Sequence, residues 1–143
     1  MLIDISNLIT PEVYEIIYRM GHMDELLIAD ANYSASALSH RVVYSYASDN
    51  HVLLTEILKY FPLDDFRANP VTVMKPDYGL TEEPVVWSYY EHVFSTTYKA
   101  KKPGLTQIPR EAFYERTRRA YATIQTTDPR VYADIIIRKG FVS

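Results

Sequence analysis

Apolar positions along this chain recur with two periods, and their alternation predicts helices interleaved with short strands. Val13, Ile16, Ile17 and Met20 make one helical stripe. Thr10 stands at its cap and Pro11 at its first position, and Gly21 is expected to stop it. Leu26 to Ala29 then run without a polar break, short enough for a buried strand over Glu25–Ala29. Val52, Leu53, Ile57, Leu58 and Phe61 return to helical spacing behind Ser48 or Asp49 as cap. Val86, Tyr90, Val93 and Phe94 do the same after Pro84, and a further helix covers Arg110–Arg119. Strands are predicted over residues 40–46, Val71–Met74, 105–108, 120–125 and 134–137, the last two around the Thr127-Asp128-Pro129 turn. Residues 33–38, small and polar, read as a loop, and residues 75–83, with Pro76 and Gly79, as a connection. The expected fold is α/β, a single layered domain over residues 1–143 with a largely parallel sheet flanked by helices.

Composition narrows the classes of function. A length of 143 residues suffices for a sizeable core without staples. The net charge of −3 offers no electrostatic footprint for nucleic acid or an anionic membrane. The absence of cysteine removes thiol nucleophiles, disulfides and cysteine metal sites. No apolar run approaches the roughly 18 residues of a membrane span. The first residues, Met1-Leu2-Ile3-Asp4-Ile5, do not read as a signal peptide, so the expected compartment is the cytoplasm. Thirteen tyrosines fit either core and interface packing or flat, hydroxyl-bearing ligand surfaces.

Candidate chemistry clusters around the first apolar strand. His22 follows the helix-ending glycine, where a side chain projects into a cleft or simply into solvent. Asp30 follows the strand at its carboxyl end, where α/β sheets place ligand sites, and it fits an Asx turn equally well. A histidine titrates near neutrality and a carboxylate does not, so together they supply an acid and a base. His40, His51 and His92 have less promising surroundings, and His22 with Asp24 and Glu25 lacks a second histidine at metal-ligand spacing. Arg110 opens a helix directly after Pro109 with a fork of donors, or pairs with Glu111 or Glu115 on the surface. Arg116, Arg118 and Arg119 read as a solvated helix face. Tyr132-Ala133-Asp134 precedes Ile135-Ile136-Ile137 and offers an aromatic face, a backbone and a carboxylate, or ordinary strand entry.

Taken together, Gly21-His22-Met23-Asp24-Glu25 to Asp30, Arg110-Glu111-Ala112-Phe113-Tyr114-Glu115-Arg116, and Tyr132-Ala133-Asp134 through Arg138, Lys139 and Gly140 resemble the fucose mutarotase/ribose pyranase family. Leu53-Leu54, Pro62-Leu63-Asp64 and Pro84-Val85-Val86-Trp87 resemble its fucose branch, so the likeness spans nearly the whole chain. The resemblance implies an isomerase that interconverts anomers of a free monosaccharide, L-fucose or a related sugar. Opening a hemiacetal ring requires a proton on the ring oxygen and removal of one from the anomeric hydroxyl. Each assisted transfer is worth roughly 10²–10⁴-fold, and no metal or other cofactor is implied. By position, the resemblance makes His22 and Asp30 catalytic, and Asp30, Arg110, Tyr132, Ala133 and Asp134 sugar-binding. The arginine at Arg110 matches the fucose branch, where ribose pyranase has histidine.

The chain departs from the family pattern at four places. Asp134 replaces an asparagine, Tyr44-Ser45-Tyr46-Ala47 replaces Arg-Ala-Asp-Gly, Ser34 stands where a proline is common, and Pro109 precedes Arg110. The alternative reading is a non-catalytic monosaccharide-binding or regulatory protein that keeps the pocket but has lost turnover through Asp134. Five extended residues span roughly 16 Å, so His22 and Asp30 meet only if a loop folds back or a neighbouring copy contributes. The homo-oligomeric rings implied by the resemblance, of decamer type with sites near subunit boundaries, fit the second route.

Overall fold

Strand β1, Glu25–Ala29, runs through the middle of a six-stranded sheet of order β2-β5-β1-β6-β3-β4. The computed structural model describes residues 1–77, 82–98 and 101–143, so part of the expected 75–83 connection, Gly79 included, lies outside the described residues. The other strands are β2 (Val42–Tyr44), β3 (Val71–Met74), β4 (Thr106–Ile108), β5 (Ala122–Gln125) and β6 (Ile135–Arg138). The pairs β1–β5, β2–β5 and β3–β4 are parallel, while β6 runs antiparallel to both β1 and β3. Five strands therefore point one way and only β6 the other, which is the largely parallel sheet expected.

Both faces of the sheet are covered, which is why Leu26–Ala29 of β1 and Ile135–Ile137 of β6 are unbroken apolar runs rather than alternating. Leu26 and Ile28 face one core cluster with Val13, Leu54 and Phe94. These come from α1 (Pro11–Arg19), α3 (Asn50–Leu58) and α4 (Val85–Thr97). Leu27 and Ala29 face a second, smaller cluster with Met74, Ile136 and Phe113, the last from α5 (Arg110–Arg119). Successive side chains of a strand point to opposite faces, so one pentapeptide knits the two layers together.

Several boundaries differ from expectation for physical reasons. Helix α1 is capped as predicted, with the Val13 N–H donating to Thr10 Oγ1 at 3.3 Å. It ends before Gly21, at Met20, whose backbone turns extended. Lys139 Nζ donates to the freed carbonyls of Ile17 and Met20 at 2.7 and 2.6 Å. The left-handed residue of that turn is Met23, at φ 80°. Residues 33–38 are not all loop, because Ala35–Leu38 forms the single-turn helix α2. For α3, Asp49 occupies the cap position without a side-chain bond. Its first N–H is instead satisfied from a distance, by Asp128 Oδ2 at 2.8 Å. The turn at Thr127-Asp128-Pro129 does not join neighbouring strands, because β1 lies between β5 and β6. The chain from Thr126 to Asp134 therefore crosses over the carboxyl end of β1 and is tied there by Thr126 N–H to Ala29 O at 3.0 Å and Ala31 N–H to Asp128 O at 2.8 Å.

Candidate active site

That crossing brings distant sequence together. Because β6 is antiparallel, the residues that precede it lie at the carboxyl ends of the parallel strands, the end where open α/β sheets hold ligands. A depression of about 240 Å³ there is lined by Asp30, Arg110, Tyr132 and Asp134, with Tyr33, Tyr114 and Met74 among the others. Four of the sequence-predicted positions thus converge. Ala133 does not line the depression: it is buried and its carbonyl accepts from Asn50 Nδ2 at 3.0 Å and from the Tyr90 hydroxyl.

Asp30 makes an Asx turn and also stands at the carboxyl end of β1. Its Oδ1 accepts the Asn32 N–H at 2.7 Å, an Asx turn, while the residue still lines the depression. Asp134 Oδ1 accepts the Asp30 N–H at 2.8 Å. Burial, reinforced by the Asp30 charge, pushes the Asp134 carboxyl well above the usual carboxylate range. Arg110 does not pair with Glu111 or Glu115. Its Nε donates to Asp77 Oδ2 at 2.5 Å and an η nitrogen to the Tyr114 hydroxyl at 2.8 Å, and these partners push its pKa further up.

Tyr132 has a positive φ of 59°, uncommon for a residue with a Cβ and worth of order 1–3 kcal/mol of strain. Two bonds hold it: Trp87 Nε1 donates to its carbonyl at 3.0 Å, and its hydroxyl accepts the Asp77 N–H at 3.0 Å. Beneath the triplet lies a buried polar network. Asn50 receives Thr126 Oγ1 on its own Oδ1 and spans to Ala133, while Asp128 binds the Asn50 N–H and the Arg130 side chain, its η nitrogen at 2.6 Å. Burial opposes ionisation of Asp128, but Arg130 and the two N–H donors hold its carboxyl below the usual range.

His22 is elsewhere. It sits at the start of β1, next to Asp24 and the last strand residues, and lines a different hollow of about 460 Å³ with Tyr60, Lys139 and Phe141. Its Nε2 lies 3.4 Å from Asp64 Oδ1, and its ring meets Phe141 edge-on at 5.0 Å between centroids. Within one chain His22 and Asp30 do not meet, as the length of the strand between them requires. His51, passed over in the sequence, stacks on Tyr89 at 4.5 Å and accepts from Arg130 at 3.1 Å, and burial and that cation lower its pKa.

Sequence reasoning missed Tyr33, Asp77 and Tyr114. Tyr33 donates to or accepts from Thr117 Oγ1 at 2.6 Å, and burial pushes its hydroxyl well up. Tyr114 had a signal, since it lies one helical turn from Arg110. Asp77 had none, because its contact with Arg110 depends on the β3–β4 pairing.

The family model for the RbsD / FucU transport protein family matches residues 3–142. The chain belongs to the RbsD/FucU family. Among its relatives in that family, the L-fucose mutarotase of Histophilus somni strain 2336 is 36% identical over 141 residues, 98% of this chain and 96% of that one. Among solved structures, the fucose mutarotase of Streptococcus pneumoniae in complex with L-fucose matches with TM-score 0.92 and 32% identity, covering 99% of this chain and 100% of that one. FucU of Bifidobacterium longum matches with TM-score 0.90 and 31% identity, over 97% and 99% of the two chains. RbsD of Bacillus subtilis complexed with D-ribose, at 17% identity and TM-score 0.71, shares the RbsD/FucU fold.

Proposed function

We propose that this chain is a sugar mutarotase, an isomerase that interconverts the anomers of a free monosaccharide, with L-fucose or a close relative as substrate. The observation that carries this reading is the convergence of Asp30, Arg110, Tyr132 and Asp134 on one depression at the carboxyl end of the sheet. Similarity over nearly the full length to a fucose mutarotase that binds L-fucose supports it.

In this reading Asp30 takes the proton of the anomeric hydroxyl as the ring oxygen receives one, the ring opens to the aldehyde, and closure on the other face gives the second anomer. Arg110, fixed by Asp77 and Tyr114, orients a sugar hydroxyl, and Tyr132 offers the sugar an aromatic face. Ala133 acts through its backbone, by holding Tyr132 and Asp134 on the buried network. His22 is the acid, and it reaches the depression from a neighbouring copy in a ring-shaped homo-oligomer. The distance between His22 and Asp30 along β1 supports a site completed between copies. Residues 1–143 act as one mutarotase domain of the cytoplasm. No helix among the described residues is long and apolar enough to cross a membrane.

Exchange NMR with free L-fucose, ribose and a few hexoses tests the reading. Anomer exchange faster than in buffer is the expected result. Sugar binding without faster exchange favours a non-catalytic binding protein, and neither binding nor exchange overturns both.

A further inference from the structure

Two carboxyl groups pack against each other on the inner wall of the depression. Asp134 is 3% exposed and Asp30 7%, and Asp134 Oδ1 accepts the Asp30 N–H at 2.8 Å. An ionised carboxylate only accepts hydrogen bonds, whereas a protonated one also donates.

Among the described residues no positive charge compensates the pair. From α5, Arg110 faces the depression but commits its Nε to Asp77 and an η nitrogen to Tyr114. From the β5–β6 crossing, Arg130 is held by Asp128 and approaches Asp49 at 3.5 Å. Among the described residues no cation forms an ion pair with Asp30 or Asp134. The other titratable neighbours are phenols. Tyr33, after β1, and Tyr90, from α4, are both pushed up by burial. Asp128 adds a further negative charge on the Tyr90 side. Burial beside a second carboxyl, without a paired cation, favours the neutral form of Asp134.

We propose that Asp134 works as a neutral carboxylic acid, and that its O–H is a hydrogen-bond donor which this chain offers to a sugar oxygen. The proposal rests on reading the depression as a sugar site. A protonated carboxyl places an acceptor and a donor on one carbon, as a primary amide does, so Asp134 presents what an asparagine presents, less one N–H. Sugar binding is thereby tied to the proton. When rising pH removes it, the donor is lost and two anions face each other beside the ligand. Affinity then falls by about tenfold per pH unit for one proton linked to binding.

The charge state is read first without any sugar, by carbon-13 NMR of labelled aspartate carboxyls. At neutral pH the wild-type chain is expected to show one protonated carboxyl that is missing from Asp134→Asn. A wild type with every carboxyl ionised overturns the proposal. Thermal melts give a second reading. Because the folded-state pKa of Asp134 is raised, wild-type stability is lost as pH climbs from the ordinary carboxylate range through that folded value. Asp134→Asn has no such loss, so the two melting curves separate progressively with pH, and parallel curves count against the proposal. L-Fucose titrations across the same range supply the third reading: an alkaline loss of affinity in the wild type and a flat profile in Asp134→Asn. The same alkaline loss in both overturns the donor role. A protonated carboxyl with no binding of L-fucose or other free sugars at any pH instead overturns the sugar reading, and the donor role with it.

Discussion

His22 and Asp30 stand at opposite ends of strand β1, the first against Asp64 and Phe141, the second against Asp134. If both act on one sugar, as we propose, copies of the chain must share the site, because a buried strand separates the two residues. We expect His22→Ala and Asp30→Asn each to lose exchange by roughly 10²–10⁴-fold while keeping the fold. Mixed and allowed to exchange subunits, the two inactive variants should regain measurable exchange, because some sites then hold both intact residues. Exchange NMR on the mixture decides it. No recovery in mixed oligomers would remove the shared site, and full activity in His22→Ala would remove His22 from the mechanism.

Arg110 is fixed as a fork, with Asp77 on one side and Tyr114 on the other. Lysine keeps the charge but not the geometry. Arg110→Lys should raise KM for the sugar by about tenfold, the equivalent of losing about 1.4 kcal/mol of binding, with a smaller change in kcat. Steady-state anomer exchange at varied sugar concentration separates the two, and an unchanged KM would make Arg110 a structural residue.

Asn50 lies beneath the site and is fully buried, bonded to Ala133, Thr126 and, through its N–H, Asp128. Removing its amide loses the buried bonds to Ala133 and Thr126, which keep the Tyr90 hydroxyl and Ala29 as partners, at about 0.5–1.5 kcal/mol each. Asn50→Ala should therefore lower unfolding free energy by about 1–3 kcal/mol in denaturant titration. It should also weaken sugar binding, because the triplet Tyr132 to Asp134 loses its support. Stability lost with sugar affinity intact would show that the network serves the fold alone.

Asp64 provides an acid-side prediction. Burial would raise its pKa, but bonds from Arg138 at 2.7 Å, the Phe66 N–H at 3.0 Å and His22 hold the carboxyl below the usual range. A depressed folded value means stability that is present above the ordinary carboxylate range and lost as pH falls through the folded value. Asp64→Asn should be less stable than wild type near neutrality, with the gap closing as the solution is acidified. Melting temperatures from neutral to acid pH measure this, and a gap that stays constant would rule out the linkage.

The periodicity of the chain determined most of the fold. Val13, Ile16 and Ile17 recur at helical spacing and bury that stripe, and Leu26–Ala29 is apolar throughout because both of its faces are covered. Such patterns are local, and any chain that must hide them from water forms the same elements. The family resemblance named Asp30, Arg110, Tyr132 and Asp134, which residue type alone left open between a sugar site and ordinary turn or surface roles. What no local pattern contains is which elements become neighbours. That β1 lies between β5 and β6 sends the 126–134 segment across the end of β1, and this crossing sets Asp134 against Asp30. The pairing of β3 with β4 presents Asp77 to Arg110, and the length of β1 keeps His22 away. Tertiary structure also shifted the ionisation of Asp134. An aspartate in a sequence is an ordinary carboxylate, but burial beside Asp30 pushes this carboxyl well above the usual carboxylate range.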